Sequence, residues 1–443
     1  MSTTDRPGHV TVVGTGYLGA THAVCMAELG FPVLGMDVDA RKVAALSAGE
    51  VPFFEPGLEE LLRKNLERGR LSFTTSYEEV GEVGDVHFVC VGTPQRADSY
   101  AADLAHLDAA VGGLLPWLRP GALVVGKSTV PAGTARGIAE RIRRRGPEGA
   151  ELAWNPEFLR EGHAVEDTLR PDRLVFGVDP GGRGESLLRG AYAPVIDAGT
   201  PVVVVDFATA ELVKVAANAF LATKISFINA MAEVCETTGA DVRELSRALS
   251  YDARIGGRFL QPGLGFGGGC LPKDIRAFMA RAEELGVEPA LSFLREVDAI
   301  NLRRRARMVD LARELVGGSF AGTRVGVLGA AFKPNSDDIR DSPALDVAAA
   351  ILRQGARVTV YDPAAMDNAR RMHPELGYAD SAVRAAGGAD VVLHLTEWHE
   401  FREMDPAVLS EVVAARRIVD GRNALDRERW RAAGWTYRAL GRP

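Results

Sequence analysis

The 443-residue chain is short of the features that would tie it to a metal, a disulfide framework, a membrane or a nucleic acid. It has four cysteines, Cys25, Cys90, Cys235 and Cys270, scattered without a C-x-x-C pair, and no His-rich tract. No metal site or disulfide framework is therefore expected, and free thiols suit a reducing cytoplasm. The opening residues, MSTTDRPGHV, lack the charged-then-apolar layout of a secretion signal, and no uninterrupted apolar run approaches a membrane span. Positive charge is in deficit, with a formal net charge of −7, which argues against a nucleic-acid or anionic-membrane partner. What remains is 47% hydrophobic and 25% charged, the composition of a soluble globular protein long enough for two or three domains.

Glycine is concentrated in one place. Gly263 to Asp274 reads GLGFGGGCLPKD, five glycines crowding the approach to Cys270. Glycine serves where backbone turns with positive φ or where something approaches the main chain closely. Pro272 suits the first residue of a helix, which sets Cys270 just ahead of a helix N-terminus. That position favours a nucleophilic thiolate. A glycine-rich turn holding a buried core cysteine explains the same window, and the two readings stay open on these residues alone.

The chain opens on HVTVVGTGYLG, His9 to Gly19: a β-branched strand running into G-x-G-x-x-G at Gly14, Gly16 and Gly19. A helical stretch to Leu29 and a second strand, Phe31 to Met36, ending at Asp37, complete a βαβ unit. This pattern predicts a dinucleotide site: the glycines admit a pyrophosphate to the helix N-terminus, and Asp37 accepts from the adenosine ribose hydroxyls. An acid there repels a 2′-phosphate, so NAD is preferred to NADP. Further strands are expected at Val86 to Val91, Leu123 to Val125, Leu152 to Trp154, Leu174 to Val178 and Val202 to Val205, alternating with helices. Such alternation signals a doubly wound, mostly parallel sheet, whose ligands lie beyond the carboxyl ends of the strands. Three polar segments follow strands there: Gly92-Thr93-Pro94, Lys127 to Pro131 and Asn155 to Gly162 (NPEFLREG).

From Asp206 to Gly239 a run of good helix formers without internal Gly or Pro predicts a long helix, capped by Asp206 and closed by Gly239. Lys214 and Asn218 stand i, i+4 on it, a polar pair on an otherwise apolar cylinder; a helix lysine is ordinarily solvated. A helix capped by Asp241 then leads to the cysteine loop. After a charged helical stretch, Asn301 to Val316, strands at Arg324 to Leu328, Val358 to Tyr361, Val391 to Leu395 and Ile418 to Val419 form a second α/β unit. Its first turn, Gly329 to Lys333, is not G-x-G-x-x-G, so ordinary dinucleotide binding is not expected there. The expected fold is α/β: two Rossmann-like doubly wound domains, residues 1–205 and 317–443, joined by a long central helix within a helical middle domain, residues 206–316.

These motifs together resemble the UDP-glucose/GDP-mannose dehydrogenase family, nearly end to end. The matching pieces are Gly14 to Gly19, Ser128-Thr129-Val130-Pro131, Asn155 to Gly162, Glu211 to Asn218, Gly263 to Asp274, and Phe332-Lys333 with Asp338 and Arg340. Within the family NPEFLREG is closer to the UDP-glucose branch, with the GDP-mannose branch the nearest alternative. The resemblance implies a four-electron oxidation of a nucleotide-sugar C6 alcohol to a carboxylate with two NAD. It makes Cys270 the nucleophile, Asp274 and Thr129 the base apparatus through a shared water, Lys214 and Asn218 the oxyanion donors, and Glu157 the assistant to hydrolysis. It places Tyr17, Leu18, Lys42, Thr93, Thr129, Glu161 and Arg340 with the glycines and Asp37 around NAD. It places Phe158, Leu159, Lys214, Asn218, Phe259, Gly267, Phe332 and Lys333 around the nucleotide sugar. Arg254 matches an arginine that reaches a neighbouring subunit's sugar site, which implies a homodimer or larger homo-oligomer. Two departures stand out: Gly269 where family members commonly have serine, and Asn229-Ala230 where bacterial members often have Asn-Glu.

Other classes fit less of the chain. A two-electron 3-hydroxyacid or phosphogluconate-type dehydrogenase also pairs a Rossmann domain with a catalytic lysine, but needs neither a nucleophilic cysteine nor a second α/β domain. A sensor or binding protein that kept the fold and lost turnover is expected to have lost Cys270, Lys214 or Asp274. All three are present.

Overall fold

The computed structural model describes residues 6–443; the part of the N-terminal reading that falls on residues 1–5 lies outside them. The chain falls into two compact units: the chain up to Ala217 with Arg276–Leu285, and Asn218–Ile275 with Gly286–Pro443.

The first unit is built on eight strands: β1 Val10–Val13, β2 Val33–Met36, β3 Leu71–Thr74, β4 Val86–Val89, β5 Leu123–Gly126, β6 Glu151–Trp154, β7 Leu174–Val178 and β8 Val202–Val205. Their order is β3-β2-β1-β4-β5-β6-β7-β8. The inner strands β1, β4, β5 and β7 are short, apolar and buried on both faces. Alternate residues enter two separate cores, Val10, Val12 and Phe88 on one face and Val13, Val89 and Val124 on the other. The expected mostly parallel sheet is what forms: β3 to β6 are parallel, β7 runs antiparallel to β6, and β8 is parallel to β7. Leu71–Thr74 is a strand the sequence reading did not single out. Because β1, β4, β5 and β6 are adjacent and parallel, the segments that follow them leave from one edge of the sheet.

The second unit carries β9 Arg324–Leu328, β10 Arg357–Tyr361, β11 Gly377–Tyr378, β12 Val391–His394, β13 Arg417–Asp420 and β14 Thr436–Ala439, in the order β11-β10-β9-β12-β13-β14, all parallel. Its acid at the end of β10, Asp362, is 1% exposed. One carboxylate oxygen accepts the Ala330 and Ala331 N–H groups and the Trp398 indole N–H, and the other accepts the Ala364 and Ala365 N–H groups. A carboxylate so surrounded has no room for ribose hydroxyls, which agrees with the absence of G-x-G-x-x-G from the turn after β9.

The long helix is Phe207–Thr238, 32 residues or about 48 Å. Asp206 accepts the Thr209 N–H at its start, and Gly239, at φ 78°, ends it. By length and mean hydropathy this helix could cross a bilayer, which the sequence reading had not found in any run. Yet Glu211, Lys214, Asn218 and Glu236 along it each bond a protein partner, as a core helix does: Glu236, for one, holds Arg304 at 3.0 Å and Arg307 at 2.7 Å.

Candidate active site

In the first unit the site begins at the turn after β1. Gly14 has φ 89°, and a side chain there would strike Val91. A Cβ on Gly19 would lie 1.7 Å from the Gly14 carbonyl oxygen, so helix and strand pack only because it is absent. At Gly16 a Cβ would meet nothing within 4 Å; this is open ground at the N-terminus of helix Tyr17–Glu28, where a diphosphate would sit against unsatisfied N–H groups. These residues fit a dinucleotide. Asp37, at the end of β2, faces the same turn: it accepts the Thr15 N–H at 2.9 Å and pairs with Lys42 at 3.3 Å, so cofactor hydroxyls would join an existing network.

The segments after β4, β5 and β6 are tied to one another. The Thr93 hydroxyl donates to the Thr129 carbonyl at 2.7 Å, and the Ser128 hydroxyl to Val91 at 2.6 Å. Lys127, buried, donates to the Asn155 side chain at 2.9 Å and to the Tyr192 hydroxyl at 3.2 Å. Burial pushes its ammonium down to about 8. The Asn155–Gly162 segment then presents Glu157, whose carboxylate accepts the Leu159 N–H at 2.6 Å and pairs with Lys214 at 2.9 Å. Lys214 is 4% exposed, so the solvated-lysine reading does not hold. Phe158 is covered on one ring face by the Arg173 guanidinium at 3.8 Å, a partner the sequence reading missed.

In the second unit Cys270 is the one exposed cysteine among the described residues. Its carbonyl accepts the Asp274 N–H at 2.9 Å, which makes it the N-cap of helix Leu271–Glu284. Asp274 is 2% exposed, and its carboxylate holds the Asn218 amide at 2.7 Å and the Lys273 ammonium at 2.5 Å. The other three thiols are buried; desolvation pushes Cys25 and Cys90 up to about 12.

The glycines before Cys270 have a steric cause. A Cβ on Gly267 would lie 2.3 Å from the Asp341 carbonyl oxygen, one on Gly268 2.7 Å from the Phe332 ring, and one on Gly269 2.2 Å from the Arg340 guanidinium. The turn after β9 thus lies directly on the loop backbone, and Phe332, Arg340 and Gly267 come together there. Arg340 also forks onto Asp338. Serine at position 269 would require the guanidinium to move.

The loop is anchored by Asn301 and Arg422, which sequence reasoning missed, and by Asn229, which it noted only within a departure from the family. Asn229 accepts the Gly263 N–H at 2.9 Å, and Asn301 makes a two-way bond with the Phe266 backbone at 2.8 and 2.9 Å. Arg422 donates to the carbonyls of Gly265, Phe332 and Leu395 at 2.9, 2.9 and 2.7 Å. Arg422→Ala leaves three acceptors without their donor and is expected to destabilise the second unit by about 2–4 kcal/mol. Amide exchange at Gly265–Cys270 should accelerate with it, and an unchanged exchange rate there would show that the loop is held without Arg422.

Phe259 adopts φ of 64°, strained for a bulky side chain, and Asp341 sits at φ 47°, a left-handed position that Asp tolerates. Arg254 stands apart: it is exposed and, among the described residues, forks onto Asp252. Lys333 lies with its ammonium 5.2 Å from the Phe332 ring.

A glycine turn fitted to a dinucleotide at the edge of a doubly wound sheet is the mark of a Rossmann-type dehydrogenase. The chain belongs to the UDP-glucose/GDP-mannose dehydrogenase family: residues 8–196 match its NAD binding domain, 208–303 its central domain and 326–427 its UDP binding domain. It is 40% identical over 436 residues to UDP-glucose 6-dehydrogenase of Rhizobium meliloti, covering 98% of this chain and 99% of that one. It is 41% identical over 443 residues to the UDP-glucose 6-dehydrogenase of Pseudomonas aeruginosa, covering 98% and 97%. Among solved structures, a UDP-glucose dehydrogenase from the hyperthermophilic archaeon Pyrobaculum islandicum superposes with a TM-score of 0.91 at 38% identity over 100% of both chains. The protein is an NAD-dependent dehydrogenase.

Proposed function

We propose that the protein oxidises UDP-glucose to UDP-glucuronate in two successive NAD-dependent steps through a covalent adduct on Cys270. The observation that carries this is local to the second unit: the exposed thiol caps a helix whose Asp274 is buried and bonded to Asn218. Bound NAD supplies a hydride acceptor for each of the two oxidations. Asp274 and Thr129 take the C6 hydroxyl proton through a shared water as the alcohol becomes an aldehyde. The Cys270 thiolate adds to the aldehyde carbon, and the oxygen takes up a proton to give a thiohemiacetal. Loss of that proton and of a second hydride leaves a thioester, which water cleaves to carboxylate and free thiol. Lys214 and Asn218, one turn apart on the same helix, stabilise the negative oxygen of each tetrahedral species. Glu157, paired with Lys214, assists the water.

Phe158, Leu159, Phe259, Gly267, Phe332 and Lys333 hold the nucleotide sugar, and Lys333 suits its diphosphate. Lys42, Thr93, Glu161 and Arg340 complete the NAD site. The UDP binding domain model and the names of the relatives support UDP over GDP; GDP-mannose or another nucleotide sugar, with the same chemistry, is the second reading.

Phe220, Phe227 and Val234 stand seven residues apart on helix Phe207–Thr238 and are 67%, 49% and 51% exposed. An apolar stripe of this kind is covered in a homodimer, and Arg254, exposed in its own chain, is then available to a second copy. The four thiols suit a reducing cytoplasm, and UDP-glucuronate would feed polysaccharide synthesis there. Residues 1–205, 206–316 and 317–443 act as cofactor, catalytic-helical and nucleotide-sugar segments.

The test is NADH formed per sugar consumed, with UDP-glucose and GDP-mannose offered separately. Two per UDP-glucose is expected. Two per GDP-mannose would correct the substrate, and one per sugar would mean release of an aldehyde and no thioester.

A further inference from the structure

Glu55 lies outside the sequence motifs of the cofactor turn, the Asn155–Gly162 segment and the cysteine loop. It is 6% exposed, on the turn before helix Leu58–Glu67. One carboxylate oxygen accepts the Ala164 N–H at 2.7 Å. The other accepts the Gly162 N–H at 2.7 Å and a short hydrogen bond from the Tyr17 hydroxyl. Gly162 also lies 3.1 Å from that hydroxyl, and the Tyr17 ring packs on Phe53 with centroids 4.9 Å apart. The phenol is pushed well above its ordinary range by burial, then by the bond to Glu55 and by the charges of Glu55 and Glu161, so it remains a donor.

The partners give this carboxylate its meaning. Tyr17 belongs to the G-T-G-Y-L-G turn and opens the helix that fits the diphosphate. Gly162 closes the Asn155–Gly162 segment, directly after Glu161 and five residues after Glu157. Desolvating a carboxylate is costly unless its lone pairs are met. Here three donors converge on it, one from the cofactor turn, one from the end of the Asn155–Gly162 segment and one from the helix that follows. A glutamine could accept on one oxygen only and would turn an N–H toward a donor.

We propose that Glu55 is a positioning residue of the dehydrogenase, which through Tyr17, Gly162 and Ala164 locks the cofactor turn and the Glu157–Glu161 segment into one register. NAD affinity and the placement of Glu157 then depend together on a residue that touches neither cofactor nor sugar. This deepens the function proposed above and rests on it for the kinetic readouts alone.

The experiment compares wild type with Glu55→Gln, Tyr17→Phe and the double variant in the full chain. It reads the NAD dissociation constant by calorimetry without sugar, then kcat, the KM for UDP-glucose, and the melting temperature. Glu55→Gln is expected to weaken NAD about tenfold and to lower kcat by a similar factor, with the sugar KM rising as well because Phe158 and Leu159 ride on the same segment. Tyr17→Phe should move NAD affinity in the same direction, and the double variant should be little worse than Glu55→Gln, because both break one linkage. A lower melting temperature with wild-type NAD affinity and kcat would overturn the proposal and leave Glu55 as a cap of the short helix after Gly162. Should Glu55→Gln not fold, Tyr17→Phe decides: unchanged NAD affinity overturns the proposal. Calorimetry needs no turnover, so a wild type that fails to oxidise UDP-glucose would refute the proposed substrate and leave the linkage to stand or fall on NAD binding.

Discussion

Cys270→Ala is expected to abolish release of uronate while UDP-glucose and NAD still bind. The loss should reach at least about four orders of magnitude in kcat, the scale seen when a covalent nucleophile is removed. No other thiol can take over. Cys25, Cys90 and Cys235 are buried, and burial pushes the first two up to about 12, far from the thiolate form at neutral pH. Cys270 alone is exposed, and it caps a 14-residue helix whose N-terminal N–H groups favour negative charge beside them. The substitution removes a side chain from the surface and leaves the carbonyl bond to the Asp274 N–H in place, so the fold should persist. Calorimetric titration with each ligand and mass analysis of products check both halves. Normal turnover by the variant would sink the covalent mechanism. Cys270→Ser should accumulate a slow oxygen adduct, visible as added mass on the protein, because an alkoxide forms and leaves less readily than a thiolate.

The features legible in the sequence were those written in local chemistry. Strand runs such as Val10–Val13 and Arg324–Leu328, the glycine turn, and the caps at Asp206 and Gly239 each sit within a few residues of what they determine. Leu71–Thr74 and Thr436–Ala439 were not singled out, because four residues of mixed polarity at a sheet edge carry little periodic signal. Nor is the reversal of β7 against β6 written in β7 itself: strand direction follows from where the connection lands. The three polar segments after β4, β5 and β6 were read as sharing one edge, and the Thr93–Thr129 and Lys127–Asn155 bonds bear that out. What escaped was the support around the site. Arg422 and Gly265 are 157 positions apart, as Glu55 and Gly162 are 107, and no local pattern marks such pairs. The glycines at 267, 268 and 269 were visible, but their cause lies in Asp341, Phe332 and Arg340, which only the tertiary structure brings against them.

Lys214→Met is expected to lower kcat by about 10²–10³-fold, the usual cost of losing an oxyanion donor. A second effect must be separated from it. Lys214 is 4% exposed and pairs with Glu157 at 2.9 Å, so its removal also leaves a nearly buried carboxylate without its cation. Breaking one side of such a pair costs about 3–5 kcal/mol in stability, whereas replacing both sides with neutral groups is often nearly neutral. The double variant Lys214→Met/Glu157→Gln should therefore recover most of the denaturant midpoint lost by Lys214→Met alone. Turnover should not recover with it, because the charge that meets the tetrahedral oxygen is still missing and Glu157 is no longer available to assist the water. A double variant that regained both stability and kcat would mean that Lys214 acts only as the counter-charge of Glu157. Recovery of stability without turnover separates the catalytic task of the pair from its structural one, and a Glu157→Gln single variant with a smaller loss of kcat than Lys214→Met then assigns the ammonium to the reacting oxygen.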